Sequence, residues 1–365
     1  MSYLVSKSPN RSTTSDIGFT LLTEKDEMRW NNLLNCAFNA SYRASIAFQY
    51  SKYLSKDGIQ IFVFHKNDQD IAGALYALKK GPSGLMKIAD IQSGTIFRNE
   101  KDIKYFSFII NHFISWAKEN KASYIRLNPW LPKTIDGQLT NHYIWLKNTI
   151  TDFGFNKITD GKHTYWIDLQ LTENELLSKI HRSNRKIIRR GLRSSFEVDV
   201  IEKPDQQLLK SFWDMYSNLS SSKGFDSLEK EKFFSKVENL FDKGQAYLFV
   251  TRYNDEIANI TMTSNFGVAA GMYGAINPGF KKIENYPSPG PLSVWKIITT
   301  FKKKGLKIYD MGFCPGRVPI KGHPNYNVWV YKYSFGGIHV QFMPTYGKII
   351  KPLRGRLFEF LIYRK

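Results

Sequence analysis

Two cysteines, Cys36 and Cys314, are all that the 365 residues contain, and they lie far apart. Such usage excludes a disulfide framework or a thiolate metal cluster as an organising device. Acidic residues are scarce as well: 32 Asp and Glu stand against 52 Lys and Arg, a net charge of +20. No apolar run is long enough to span a bilayer. The first residues, MSYLVSKSPNRSTTSD, lack the apolar core of a secretory leader and read as flexible up to about Asp16. A cytoplasmic protein is therefore expected, with peripheral contact at the inner face of an anionic membrane left open. The short periods of solenoid and propeller repeats are missing. His65, His112, His142, His163, His181, His323 and His339 show no metal-ligand spacing, and no nucleophile–base dyad stands out.

What is present is basic and aromatic. The chain is long enough for two domains with full cores, and 15% aromatic residues suit a well-packed globular protein. The positive balance favours a polyanionic partner such as nucleic acid, a nucleotide-linked substrate or anionic lipid.

The charge concentrates in Leu171–Val200, LTENELLSKIHRSNRKIIRRGLRSSFEVDV. Thr172 and Glu175 are spaced as a capping box. Leu176, Leu177, Ile180, Ile187 and Ile188 recur at helical spacing, and Gly191 is expected to end the helix in a left-handed cap. Around the stripe stand Lys179, Arg182, Arg185, Lys186, Arg189, Arg190 and Arg193, with His181 and Asn184 among them. A solvated helix face is the simpler reading. Arginine outnumbers lysine, however, and no acid lies between Lys179 and Arg193, which together favour a face for phosphate.

Along the chain the same order of elements occurs twice. Helices over Glu24–Ala37 and Ser45–Leu54 precede strands Ile59–His65 and Ile71–Leu78, strand Lys87–Ile91 with its exit Gly94–Phe97, helix Asp102–Asn120 and strand Tyr124–Leu127. Helix Tyr143–Phe153, the turn GFNKI and strand Tyr165–Leu169 follow. After the cationic helix come helices Leu208–Ser221 and Leu228–Phe241, strands Ala246–Tyr253, Ile257–Asn265 and Ala269–Ala275, helix Pro291–Lys304 and strand Lys307–Asp310. A strand region around Trp329–Phe342 closes the order. This is a mixed α/β architecture built from one large unit used twice. The boundary is expected near Asp160, giving domains 1–160 and 161–365 with a cleft between them.

Four stretches of the second half resemble the FemABX peptidyltransferases, which build peptidoglycan cross-bridges: HRSNRKIIRRGLRSSFEV, SFWDMYSNLSSSKGF, GLKIYDMGF and VWVYKYSFGGIHVQFMPTYGKIIKPL. The first half adds LNPWLP before the helix that precedes GFNK. Order and spacing together are more specific than any single stretch, and the likeness covers nearly the whole chain. It implies two tandem GNAT-like domains and transfer of an amino acid from aminoacyl-tRNA to the stem peptide of a peptidoglycan precursor, lipid II or a nucleotide-linked form. It also implies no metal and no cofactor beyond aminoacyl-tRNA as co-substrate. The resemblance carries Tyr331 and Lys332 onto the pair that contacts the 3′ end of the aminoacyl-tRNA and the reacting carbonyl. Lys223 matches the cation that grips precursor phosphate, and the first-domain lysine for the same phosphate falls at Lys52 or Lys56. Arg182, Asn184, Arg185 and Tyr273 complete the implied substrate contacts. Where the family often carries Gly-Pro and a later Asp, the stretch here reads SGTIFR, with Thr95 and Arg98. The helical-hairpin arm of some members is absent, since TRYNDEIANIT is an ordinary hairpin. A monomer is expected.

Aminoacyl transfer needs an ester carbonyl, a free amine and a group for the tetrahedral oxyanion. Lys332 suits that group, although a surface lysine on a strand is the plainer reading. Proton movement through the tRNA's own hydroxyl needs no protein base. Asp310 is a candidate base, and a turn-forming Asp at a strand end is the plainer reading. The main alternative is an acyl-CoA-dependent N-acyltransferase acting on a cell-envelope sugar. Its pyrophosphate would need backbone N–H groups at a helix start. The turn here is NYPSPGPL, and Pro287, Pro289 and Pro291 have none to give. A third class, a binder of RNA or anionic membrane, draws on the basic tail KIIKPLRGRLFEFLIYRK, for which a docked helix with a solvated face is the plainer reading.

If the cationic face binds phosphate, Arg185→Ala with Arg189→Ala will flatten the dependence of polyanion affinity on salt, by about 0.7–0.9 in log–log slope for each phosphate no longer neutralised. A slope equal to wild type, measured by titration at several salt concentrations, would show that the helix does not touch phosphate.

Overall fold

The computed structural model describes residues 17–50, 59–81, 84, 86–224, 229–281 and 288–363. The N-terminal stretch up to Asp16, the expected lysines Lys52 and Lys56, and Pro287 lie outside them. Described residues within 17–44, 59–162 and 340–363 form one compact unit, and those within 45–50 and 163–339 a second. The division at 162/163 differs from the expected contiguous domains in two respects. The C-terminal segment from Val340 joins the first unit, and the short helix after Ala44 joins the second. Side-chain chemistry decides the latter: Ser45 Oγ donates to Gln245 Oε1 at 2.5 Å, and Lys236 Nζ lies 4.2 Å from the Phe48 ring centroid.

In the first unit, β1 (Ile17–Leu21) and α1 (Glu27–Cys36) precede β2 (Ile59–Lys66), β3 (Gln69–Lys80) and β4 (Lys87–Phe97). The intervening α2 (Ile46–Tyr50) is the helix contributed to the second unit. Then come α3 (Phe106–Glu119), β5 (Tyr124–Leu127), the hairpin β6 (Pro132–Ile135) and β7 (Gln138–Leu139), α4 (Asn141–Asp152) and β8 (Asn156–Thr159). The second unit continues with β9 (His163–Asp168), α5 (Glu173–Lys179), α6 (Arg182–Gly191), β10 (Phe196–Ile201), α7 (Gln206–Lys223) and α8 (Lys230–Asp242). It closes with β11 (Ala246–Tyr253), β12 (Glu256–Ser264), β13 (Ala269–Ile276), α9 (Pro289–Lys303), β14 (Ile308–Cys314), α10 (Tyr326–Tyr333) and β15 (Ile338–Phe342). The last residues of β15, with β16 (Thr345–Ile349) and α11 (Pro352–Tyr363), return to the first unit.

The repeat is visible in the pairing. The first sheet runs β1-β2-β3-β4-β5-β16-β8, antiparallel except for β4–β5. In the second unit the order is β10-β11-β12-β13-β14-β9, again with one parallel pair, β13–β14. Each parallel pair is joined by one crossover helix, α3 or α9. Even the hairpin turns match. Asn67-Asp68 and Asn254-Asp255 both hold positive φ, the geometry a two-residue turn needs between twisted strands. The second of these is the hairpin that stands where an inserted arm would lie.

Each crossover helix buries one face on its sheet. Ile109, Ile110, Phe113 and Ala117 of α3 pack with Tyr76, Ala89 and Ile125. Ile297, Ile298 and Phe301 of α9 pack with Phe249, Tyr309 and Ile188. The sequence reading contained no strand at β1, β6, β7, β8 or β16. The β6–β7 hairpin turns at Asp136-Gly137, a strong local signal, but its strands are too short to alternate. The GFNKI stretch supplies β8, an edge strand whose pairing partner β16 lies some 190 residues away in sequence, on the order of half the chain.

Asp90 on β4 is buried between Lys79 on β3, at 2.5 Å, and Arg126 on β5. Burial alone would raise its carboxyl; the two cations reverse this and hold it below the usual carboxylate range. A depressed folded pKa adds stability above the unfolded value, and that stability is lost as pH falls through the folded one. Asp90→Asn should therefore lower stability at pH 7 by about 2 kcal/mol, less than for a fully buried pair because both cations reach solvent. It should also flatten the further loss below about pH 4. Urea unfolding at both pH values checks this, and an unchanged midpoint at pH 7 would show that the triad does not stabilise the sheet.

Candidate functional site

The parallel pairing of β13 and β14 lasts for only Ala269↔Tyr309 and Ala270↔Asp310, after which the strands part. In the first unit the matching pair runs from Ile88↔Tyr124 to Ile91↔Leu127 before β4 and β5 separate. There the opening is filled. Gly94 holds a φ of +78°, and a Cβ on it would lie 2.2 Å from the Pro129 carbonyl oxygen and 2.7 Å from Trp130. Asn39 bonds both edges of that turn, donating to Thr95 O at 2.9 Å and accepting from Phe97 N at 2.8 Å. In the second unit the parting is lined by polar groups instead.

Asp310, the last paired residue, is buried. Its Oδ1 accepts from Thr164 Oγ1 and, at 2.7 Å, from the Gly312 N–H. Gly312 has a φ of +79°, and the carboxylate closes a side-chain-to-backbone turn over it. The turn-forming role expected of Asp310 is thus present, beside a second one. Burial raises its carboxyl, while Thr164, Gly312 and the Lys332 ammonium pull the other way. Lys332 reaches this point from α10 and donates to Phe313 O at 2.8 Å. Burial lowers its pKa against the pull of Asp310. An ammonium has three N–H groups, and one is spent on Phe313. The arrangement is a fixed, partly desolvated cation in the field of a buried carboxylate, chemistry suited to stabilising a developing oxyanion.

Tyr331 and Lys332 lie on a helix, where the sequence reading expected a strand. The Trp329–Tyr333 run alternates aromatics, which mimics a strand period, but His323 and Asn325 start a helical turn before it. The helix directs Tyr331 away from Lys332. Its ring packs edge-on against Phe335 at 5.1 Å, and a Cβ on Gly290 would sit 3.1 Å from its hydroxyl oxygen. Burial raises the Tyr331 hydroxyl, which stays protonated and a donor across the neutral range. Pro289, Gly290 and Pro291, the first turn of α9, are buried beside it.

The cationic stretch is two helices. The expected capping box opens α5, with Thr172 Oγ1 accepting from Glu175 N at 3.2 Å. Ile180 is extended and His181 caps α6. The break has a partner: the His181 N–H donates to Ser334 O at 2.8 Å, at the end of α10. Gly191 is the last helical residue of α6 and has no positive φ, contrary to the left-handed cap expected. Its smallness serves packing, since a Cβ there would lie 3.1 Å from Leu292 of α9. Asn184 is buried. Its Nδ2 donates to Ser334 Oγ at 2.7 Å, and Ser334 Oγ donates to Tyr331 O at 2.6 Å. Asn184 thus orients the helix that carries Lys332. Arg182, Lys186, Arg189 and Arg190 are exposed, whereas Arg185 is half-buried and donates to Ser178 O at 3.2 Å.

The remaining expected residues sit on other elements. Lys223 is exposed in the last turn of α7, before Gly224 with a φ of +66°. Tyr273 on β13 accepts from Lys236 Nζ at 3.1 Å and meets the rings of Tyr216 and Phe233 edge-on. Sequence reasoning passed over Lys236. The signal was available: Lys236 lies on the same face of α8 as Phe233, Val237 and Leu240, where a lysine is out of place unless its head finds a partner. Thr164 carried no signal, because its role exists only where β9 meets β14. Among the described residues no cluster of His, Cys, Asp and Glu could hold a metal.

A model of the FemAB family matches residues 39–259. No curated protein matches the sequence. Among solved structures, a crystal structure of FemX superposes with a TM-score of 0.79 over 95% of this chain and 100% of that one, at 15% identity. The structure of L-PGS from Bacillus licheniformis gives 0.54 over 94% and 97% at 11% identity. The C-terminal domain of a putative lysylphosphatidylglycerol synthetase from Agrobacterium fabrum gives 0.52 over 89% and 92% at 12% identity. At these identities the likenesses concern the fold, which is the tandem GNAT-like architecture expected.

Asn184→Ala should cost about 1 kcal/mol in thermal unfolding, the worth of one internal hydrogen bond. It should also lower amide hydrogen-exchange protection across α10 before the rest of the second unit opens. Unaltered protection of α10 would show that the Asn184–Ser334 bond does not hold that helix.

Proposed function

The chain belongs to the FemAB family, and from that premise we propose that it is an aminoacyltransferase of peptidoglycan cross-bridge formation, taking an amino acid from aminoacyl-tRNA to the stem-peptide amine of lipid II or a nucleotide-linked precursor. The observation that carries this reading is the Lys332 ammonium held on Phe313 O, in the field of buried Asp310, at the parting of β13 and β14. The attacking amine forms the new C–N bond at the ester carbonyl. The carbonyl oxygen becomes an oxyanion, and Lys332 offers its free N–H groups to it. On collapse the ester C–O bond breaks, and the ribose hydroxyl leaves with the proton that the amine gives up. Asp310 keeps Lys332 charged and, through Gly312, sets the backbone turn that presents Phe313 O. Tyr331 acts as a buried hydroxyl donor beside the start of α9. The exposed cations of α6, with Lys223, hold polyanion. Lys52 or Lys56 serves the precursor phosphate on the strength of the family resemblance alone. Aminoacyl-tRNA is the co-substrate, and no further cofactor takes part. The chain works as a monomer in the cytoplasm.

The rival acyl-CoA reading is weakened by the start of α9. Pro289 and Pro291 have no N–H to offer, and the turn is buried against Tyr331, so a pyrophosphate finds few backbone donors there.

Transfer of labelled amino acid from a mixed pool of charged tRNA to purified lipid II, with an acetyl-CoA control, tests the reading. Label in lipid II is expected. Lys332→Ala should reduce the rate by about 10²-fold or more while the chain still folds, as circular dichroism would check. Label from acetyl-CoA alone would move the protein to the acyl-CoA class, and full activity of Lys332→Ala would remove that residue from the mechanism. Because burial lowers the Lys332 pKa, the rate should fall on the alkaline side at a lower pH than an ordinary lysine would give.

A further inference from the structure

The C-terminal helix α11 presents two faces of different kinds. The inward face is Gly355 and Phe358. A Cβ on Gly355 would lie 2.7 Å from Ile349 Cγ2 and 2.9 Å from Ser123 O, and the Phe358 ring lies 4.8 Å from that of Tyr124. Phe358 completes a small buried cluster with Met86, Ile88 and Tyr124. Glu359, the one acidic residue of the helix, accepts from Tyr124 Oη at 3.0 Å and so is turned toward the first unit. These contacts account for the docking of α11.

The outward face is apolar. Leu353, Leu357 and Phe360 are 89%, 51% and 61% exposed. At about 100° per residue they fall within roughly 60° of one another on the helix, opposite Gly355 and Phe358. Arg354 lies on one flank of this stripe and Arg356 on the other, both exposed. Lys351 stands at the helix start. A docked helix with a solvated polar face, the plainer expectation for this tail, would not place Leu353, Leu357 and Phe360 in water and its acid toward the body.

We propose that α11 is a membrane-surface anchor, lying in the interface of an anionic phospholipid bilayer with Leu353, Leu357 and Phe360 in the acyl boundary. Charge complementarity selects this occupant. Cations on both flanks of an apolar stripe, with no acid on the exposed face, match a surface that is negative on every side of the inserted residues. Arginine stems cover apolar surface while their heads reach the headgroups. The Gly355–Phe358 face stays docked, so the stripe can insert without unfolding the first unit. The inference does not depend on the proposed transfer reaction.

Flotation of the full chain with vesicles of phosphatidylcholine, with and without phosphatidylglycerol, tests it. Wild type should bind the anionic vesicles, and salt should weaken binding by screening. Leu353→Ser with Leu357→Ser and Phe360→Ser should lose at least about tenfold in partitioning. Arg354→Gln with Arg356→Gln should lose about tenfold and much of the salt dependence. Leu353→Ser alone, at the most exposed position, should weaken binding with an unchanged thermal melt. Failure of wild type to float, or equal flotation of the triple variant, would overturn the proposal. So would a dimer, seen by light scattering, that the triple variant abolishes, since the stripe would then belong to a second copy of the chain.

Discussion

The brevity of one strand pairing shapes the second unit. β13 and β14 are parallel for two residue pairs and then part. Backbone groups that a longer ladder would have consumed must be satisfied by side chains at that point. Asp310 takes the Gly312 N–H, and Lys332 takes the Phe313 carbonyl. A charged pair is thereby drawn below the surface next to backbone that β13 no longer covers. Burial moves both groups toward neutrality, the lysine down and the carboxyl up, and each restrains the other. The same parting in the first unit is closed by Gly94, Pro129 and Trp130. One unit used twice has therefore kept a polar opening in only one of its copies.

The cationic stretch supports that opening by a route its charge does not suggest. Its apolar stripe, through Leu176, Ile180 and Ile188, joins the core beneath α9. Its break at Ile180–His181 releases a backbone N–H to Ser334, and its buried Asn184 donates to the same serine. Both bonds end on α10. The exposed arginines are then a separate layer on the outside of a structural clamp, and a polyanion bound there would lie on the helix that positions Lys332.

The two units differ in how they manage charge. In the first, Asp90 bridges Lys79 and Arg126 across three neighbouring strands, a stabilising arrangement one residue pair before the filled opening. In the second, Lys236 is buried under Phe48 and hydrogen-bonded to Tyr273, and Phe48 comes from the short helix that leaves the first unit's run of sequence. That lysine helps explain why α2 joins the second unit: its ammonium is held on the ring face of a residue from that helix.

Much of the architecture was legible in the residues. Amphipathic periods located α3, α7, α8 and α9, and paired Asn-Asp turns marked both hairpins. The repeated order of elements implied a doubled mixed sheet. These features are local, written in spacings of two to four residues. The four family-like stretches, read together, led to the family that a model match over residues 39–259 then showed. What the sequence by itself could not decide were the matters that depend on distant partners. Alternating aromatics made α10 look like a strand. Gly191 looked like a cap when its role is to admit Leu292. β8 pairs with a strand far along the chain, and Thr164 acquires its role only where β9 meets β14. Periodicity and capping are properties of a helix or strand alone; pairing register, burial of a charge and the site at the parting of two strands exist only once remote segments have been brought into contact.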